Sequence, residues 1–321
     1  MRVATIDIGT NSVLLLVAES EGGALRPVLE RATVTRLGEG VDRARRLLDA
    51  ACERTLACLS EYAAQLAELS VSRLDAVGTS AMRDAAGGQE FAARAARILG
   101  VAPRVIDGNE EARLTFAGAL SGLSVLPVSP ASPVSPDAGK VTVFDIGGGS
   151  TEIVVGRLTA SARQIDAAVS LNIGSVRLFE RHVRSDPPTA AEMRAVQRDI
   201  ALALAAAPKP EADATLVGVA GTITQLAALE LELKRYDATR VHGHTLTRQA
   251  VDRLATRLAS LDLAHRRALP GMEPTRADVL VVGSAIAQAV LEWSGAAKLV
   301  VSDRGVRWGL AEELAASGGA S

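Results

Sequence analysis

Two short stretches of the sequence set an aspartate against a glycine-containing turn. Residues 2–18 read RVATIDIGTNSVLLLVA, and residues 140–156 read KVTVFDIGGGSTEIVVG. Placing Asp7 on Asp145 also matches Val3 with Val141, Ile8 with Ile146, Gly9 with Gly147, Ser12 with Ser150 and Val17 with Val155. Each copy reads as an apolar strand ending near Asp, a tight turn and a second apolar strand. Glycine lets such a turn aim several backbone N–H groups at one point. A nest of this kind holds phosphate oxygens, and Ser and Thr hydroxyls add donors. Asp at the strand end can hold Mg²⁺ directly or through water. Thr10, Asn11 and Ser12 would form one phosphate loop; Gly147, Gly148, Gly149, Ser150 and Thr151 would form the other. A lone Asp-Gly turn usually just closes a hairpin, so the signal is the duplication.

Other residues carry chemistry with a plain structural alternative beside it. Glu152 stands where the first copy has Leu14, and interrupts an apolar run. It is either solvated on an outer face, or a carboxylate beside metal or water, because an unpaired buried one is costly. Glu110 and Glu111 open a predicted helix, where acids also complement the helix dipole. Adjacent helical residues point about 100° apart, so one of the two can face a site. Arg83 follows the strand end Gly78-Thr79-Ser80 and could grip phosphate as a fork, or pair on the surface; Ser80 is a further donor. Gly221 and Thr222 open a helix after a strand, an anion site or a structural turn. Arg177 and Arg181 could line a polyanion path or a solvated face. The histidines, 182, 242, 244 and 265, show no one-helix metal spacing. Cys52 and Cys58 match no zinc or redox motif and read as reduced thiols.

The elements that must position these groups follow from periodicity. Strands are expected at Arg2–Asp7, Val13–Ala18, Val28–Leu37, Leu74–Gly78 and Val101–Ile106, with helical spacing over Arg43–Leu69 and Glu110–Gly122. After Lys140, strands at Val141–Ile146, Thr151–Leu158, Gln164–Leu171, Thr215–Val219 and Lys298–Ser302 alternate with helices, one of them Thr222–Leu233. This is a mixed sheet with covering helices, met twice. The segment 126–139 holds four prolines among serines and reads as a linker. The expected domains are 1–125 and 140–321.

The chain has 321 residues, 48% of them hydrophobic and 22% charged, with a net charge of −2. That composition excludes disorder as the main state and gives no general case for nucleic-acid binding. No apolar run reaches about 18 residues, so no membrane span is expected. The start MRVATIDIGT has no secretory pattern, and a cytoplasmic protein is expected. Lysine occurs four times among 35 basic residues, a coding bias given no functional weight.

The stretches DIGTNSVLLLV, GTSAMRDA, IDGNEEARL, FDIGGGSTEIVVG, LNIGSVRL, VAGTITQLAAL, PGMEPTRADVLVVG and VSDRGVRWGL span residues 6–310. Together they resemble the exopolyphosphatase and guanosine pentaphosphate phosphohydrolase (Ppx/GppA) family. The resemblance implies an α/β fold of two actin-like (ribonuclease H-like) domains with the active cleft between them, the last helix, from about residue 305, returning to the first. It implies Asp7 and Asp145 at a divalent metal, Mg²⁺ or Mn²⁺, with Glu111 as the base that activates water and Glu152 as a second carboxylate on metal or water. The implied substrate is inorganic polyphosphate, with guanosine pentaphosphate as the runner-up; a homodimer is implied by the family alone. An acceptor kinase and a non-catalytic polyphosphate or nucleotide sensor are the rival readings. Longer members carry an extra helical region that does not follow VSDRGVRWGL here, so tight processivity on very long polyphosphate is not expected.

Overall fold

The computed structural model describes residues 1–21, 24–123, 139–159 and 163–317. The predicted linker therefore lies outside the described residues up to residue 138. Two compact units emerge, Met1–Gly118 with Val306–Ser321, and Ala119–Gly305.

The first unit contains β1 (Arg2–Ile8), β2 (Ser12–Glu21), β3 (Ala24–Val34), α1 (Val41–Ala44), α2 (Asp49–Glu68), β4 (Arg73–Gly78), α3 (Ser80–Asp84), α4 (Gly88–Leu99), β5 (Arg104–Val105) and α5 (Gly108–Ala119). The second contains β6 (Lys140–Ile146), β7 (Thr151–Leu158), β8 (Arg163–Leu171), α6 (Ser175–His182), α7 (Ala190–Leu204), β9 (Thr215–Val219), α8 (Ala220–Glu230), α9 (Ala238–Val241), β10 (Thr245–Thr247), α10 (Arg248–Ser260), α11 (Leu263–Arg267), α12 (Leu280–Ser294) and β11 (Lys298–Val301). Helix α13 (Val306–Ala316) completes the first unit.

The sheets run β3-β2-β1-β4-β5 and β8-β7-β6-β9-β11-β10. In each, the first three strands form an antiparallel meander and the fourth lies parallel to the first, on its other side. The two orders correspond strand for strand, β10 being an addition. Alternation along β1 sends Ala4, Ile6 and Ile8 to one face, where Leu56, Leu59 and Tyr62 of α2 and Phe91 of α4 cover them. The opposite face carries Val3, Thr5 and Asp7. Trp308 and Ala311 of α13 pack there against Val3, Leu16 and Ala18, and the Thr5 hydroxyl donates to the Arg307 carbonyl at 2.8 Å. In the second unit Phe144 and Ile146 face a core built around α12, most of whose residues are buried.

Three expectations needed correction. The helical spacing over 43–69 is broken after α1, because Ala86 N donates to Arg45 O and Leu47 N donates to Ala86 O; this pairing outweighs local helix propensity. The strand expected at Val101–Ile106 shrinks to β5, since Pro103 has no N–H for the ladder. Strand β10 was unforeseen; its three residues are too few to show a period. Among the described residues no helix is long and apolar enough to cross a membrane.

Candidate active site

In the first unit, β1 brings Asp7 to the turn Gly9–Ser12, closed by Gly9 N donating to Ser12 O at 3.0 Å. Asp7, Thr10, Asn11 and Ser12 are buried. Asp7 Oδ1, Thr10 Oγ1 and Asn11 Oδ1 are shielded from solvent without a hydrogen-bond partner in the protein. Orphaned buried polar atoms cost free energy, and their convergence on one turn marks a place for a ligand. The turn is supported from behind: Thr35 N and Arg36 N donate to Asn11 O, and Gly38 N to Thr10 O. Burial raises the Asp7 carboxyl to about 7, the charge of Glu111 adds to this, and the Arg307 guanidinium opposes it.

Helix α5 separates its two glutamates as helical geometry requires. Glu110 turns outward to Arg104, with 2.8 Å between them. Glu111 is buried and accepts from Arg83 Nη1 at 2.9 Å. Arg83 also donates to Ile106 O at 3.1 Å, and its Nε lies 3.6 Å from Asp84. Ser80 is buried, with its hydroxyl on Asp84 Oδ2 at 3.3 Å. Arg307 reaches Glu30 at 2.7 Å, and Glu30 also accepts from Trp308 Nε1.

The second unit repeats the turn. Gly147 N donates to Ser150 O at 3.0 Å, with Asp145 at the end of β6. Asp145 pairs in register with Glu152, and Glu152 with Ser170, so three polar side chains share one row and one face. Glu152 is only 1% exposed and accepts from Ser170 Oγ at 2.7 Å. It is not the solvated outer-face glutamate that remained open from sequence.

Several expectations for individual residues change. Thr151 donates its hydroxyl to Ile173 O at 2.6 Å, a contact that anchors the loop. Thr222 directs its hydroxyl to Ile146 O at 3.4 Å and is packed against Gly283. The Arg276 guanidinium lies against Gly221, where it would meet an added Cβ. Arg177 is neither in a solvated face nor lining a path: it is buried, with Nε donating to Gly149 O at 2.6 Å. Arg181 pairs with Asp199 on the surface. Each histidine lies by an acid: His182 by Asp199, His242 by Asp303, His244 by Glu230 and His265 by Asp262. Cys52 and Cys58 are free thiols. Ser170 and Arg307 escaped the sequence reading. The register of a third strand could have pointed to Ser170, while no local signal links Arg307 to Asp7.

Among the described residues no group of three or more His, Cys, Asp or Glu forms a metal cluster. The donors still suit a hard cation. Mg²⁺ keeps several waters and takes one or two carboxylates plus substrate oxygens, and the orphaned Asp7 Oδ1 is such an oxygen.

The model of the Ppx/GppA phosphatase family matches residues 16–317. The chain belongs to this family. It is 37% identical to Exopolyphosphatase 2 of Mycobacterium tuberculosis over 98% of each chain. It is also 30% identical to the guanosine-5'-triphosphate,3'-diphosphate pyrophosphatase of Aeromonas hydrophila, over 96% of this chain and 58% of that protein. The crystal structure of an exopolyphosphatase-like protein, 36% identical, superposes with a TM-score of 0.87 over 99% of both chains. As a Ppx/GppA protein the chain has the α/β, actin-like fold expected from its motifs, and it is a phosphoanhydride hydrolase by family.

Proposed function

We propose that this protein is a metal-dependent exopolyphosphatase that removes orthophosphate from the ends of inorganic polyphosphate. The observation that carries the reading is buried Glu111 held by Arg83 at 2.9 Å, on the same unit as the Asp7 turn. A buried carboxylate beside a cationic fork suits a base that orients water next to a phosphoryl group. In this reading the oxygen of water attacks the terminal phosphorus and its proton passes to Glu111. The bridging P–O bond breaks, and orthophosphate and a chain one phosphate shorter result. Arg83 holds the terminal phosphate. Thr10, Asn11 and Ser12, together with the amides of Gly148, Gly149 and Ser150, receive phosphate oxygens. Asp7 and Asp145 would hold Mg²⁺ or Mn²⁺ with Glu152 alongside, and the cation would supply neutralisation of phosphate charge. Asp7 and Asp145 belong to different units, so the proposal requires both units to engage one substrate, with closure on binding. A cytoplasmic location and a homodimer are parts of the same proposal, and the family resemblance supports the homodimer alone.

The Aeromonas relative favours one second reading, hydrolysis of the 5′ γ-phosphate of guanosine pentaphosphate, by the same chemistry. The deciding experiment measures orthophosphate released with Mg²⁺ from tripolyphosphate, long polyphosphate and guanosine pentaphosphate side by side. Faster release from polyphosphate supports the first reading, and preference for guanosine pentaphosphate the second. Binding without release from any of them would leave a sensor, and ATP turnover with an acceptor would indicate a kinase.

A further inference from the structure

We propose that Arg177 is a positioning residue: it sets the direction of the phosphate-loop amides from behind the loop. In a trans peptide the carbonyl of one residue and the N–H of the next point to opposite sides. Fixing the carbonyls of Gly147, Gly148 and Gly149 therefore fixes the N–H groups of Gly148, Gly149 and Ser150 on the other side. The first turn of α6 supplies most of this restraint. Ser175 N donates to Gly147 O at 3.0 Å, and Val176 N and Arg177 N donate to Gly148 O at 2.9 and 3.0 Å. The Ser175 hydroxyl adds a contact to Gly147 O at 3.2 Å. These amides are the ones a helix start leaves without intrahelical partners. Here they are taken by the loop rather than by a ligand.

The third carbonyl is held differently. Gly149 O receives the side-chain Nε of Arg177 at 2.6 Å. Arg177 is 7% exposed, so this charge-assisted bond is little screened. Holding a carbonyl with a cation polarises the peptide and strengthens the N–H on its far side, that of Ser150. Among the described residues, no backbone acceptor takes the N–H groups of Gly148, Gly149 or Ser150. They are available to an anion, already oriented. Gly174 completes the arrangement: a Cβ there would overlap the Gly148 carbonyl. The loop of the first unit shows the same support made from backbone alone, with Thr35, Arg36 and Gly38 behind Thr10 and Asn11. The internal repeat thus extends beyond the hairpin to the segment that backs it, and only the second copy uses a side chain there among the bonds described.

The proposal rests on reading this loop as the phosphate site of the hydrolysis above. Its test compares Arg177→Met and Arg177→Lys with the parent protein, using tripolyphosphate as substrate and orthophosphate as competing product. Losing one positioning bond is expected to raise KM and the inhibition constant of orthophosphate together by about tenfold in Arg177→Met. The effect on kcat should be smaller. Arg177→Lys keeps a buried cation and should recover part of the loss, which a purely structural role does not predict. If Arg177→Met does not fold, the lysine variant decides, with an expected rise in KM of about threefold. Both constants unmoved in the folded variants would overturn the proposal. No phosphate release by the parent from any polyphosphate would instead overturn the hydrolysis reading, a separate outcome.

Discussion

Arg83 and Glu111 share a hydrogen-bonded ion pair of 2.9 Å, although 28 residues separate them in sequence. The pair joins the last turn of α3 to the first turn of α5, and selects Glu111 over Glu110 as the inward acid. Replacing Glu111 by Gln keeps shape and removes the base. Turnover of polyphosphate should fall at least about a hundredfold, while binding measured by calorimetry stays within about threefold. A variant with full turnover would return Glu111 to the role of a structural partner of Arg83.

Asp7 should make the metal-free protein sensitive to pH. Its folded-state value is about 7 against an ordinary 3.8, mainly through burial. Between those values the folded state holds a proton that the unfolded state has released. The stabilisation is therefore complete below about pH 4 and is lost as pH rises towards 7. Asp7→Asn, in the absence of divalent cations, should melt higher than the parent at pH 8, by about 5 °C, with the gap closing towards pH 4. Adding Mg²⁺ should raise the melting temperature of the parent more than that of the variant. Equal melting curves at pH 8 would show that the Asp7 carboxylate is not strained by burial.

Gly309 on α13 meets α5 backbone to backbone: a Cβ there would overlap the Leu114 carbonyl. Because the obstacle is main chain, it cannot rotate away. Gly309→Ala should separate the two helices, cost about 1–3 kcal/mol in urea unfolding, and lower kcat by displacing Glu111, three residues before Leu114. Lost stability with unchanged kcat would mean that the Glu111 end of α5 is insulated from this contact.

Ser170 donates to Glu152 at 2.7 Å. Ser170→Ala removes that donor from a carboxylate that is 1% exposed. A decrease in kcat of about five- to tenfold is expected, with a loss of stability of about 1–3 kcal/mol. Unchanged kinetics would confine Glu152 to a structural role in the β7–β8 pair.

Much of this was legible in the sequence because hairpins are local. The Asp, the turn and the apolar alternation of each copy lie within 17 residues, and both turns close by the same Gly-to-Ser bond. The choice between Glu110 and Glu111 was half legible: helical geometry said that one faces inward, but Arg104 and Arg83, which decide which one, come from other elements. The contacts of Thr151 and Thr222 were not legible, because a hydroxyl beside a phosphate turn can equally satisfy a neighbouring carbonyl, as both do here. Arg307 was illegible, since its proximity to Asp7 depends on α13 packing across β1 and β2 from the far end of the chain.

That placement of α13 has a consequence during synthesis. The face of β1 that bears Thr5 and Asp7 is closed by Trp308 and its neighbours, yet all of residues 119–305 leave the ribosome in between. At about 5–20 residues per second, the first unit waits on the order of 10–40 s for its final helix. Its nascent form exposes Val3, Leu16 and Ala18 for that time, so the half-site encoded first is the one finished last.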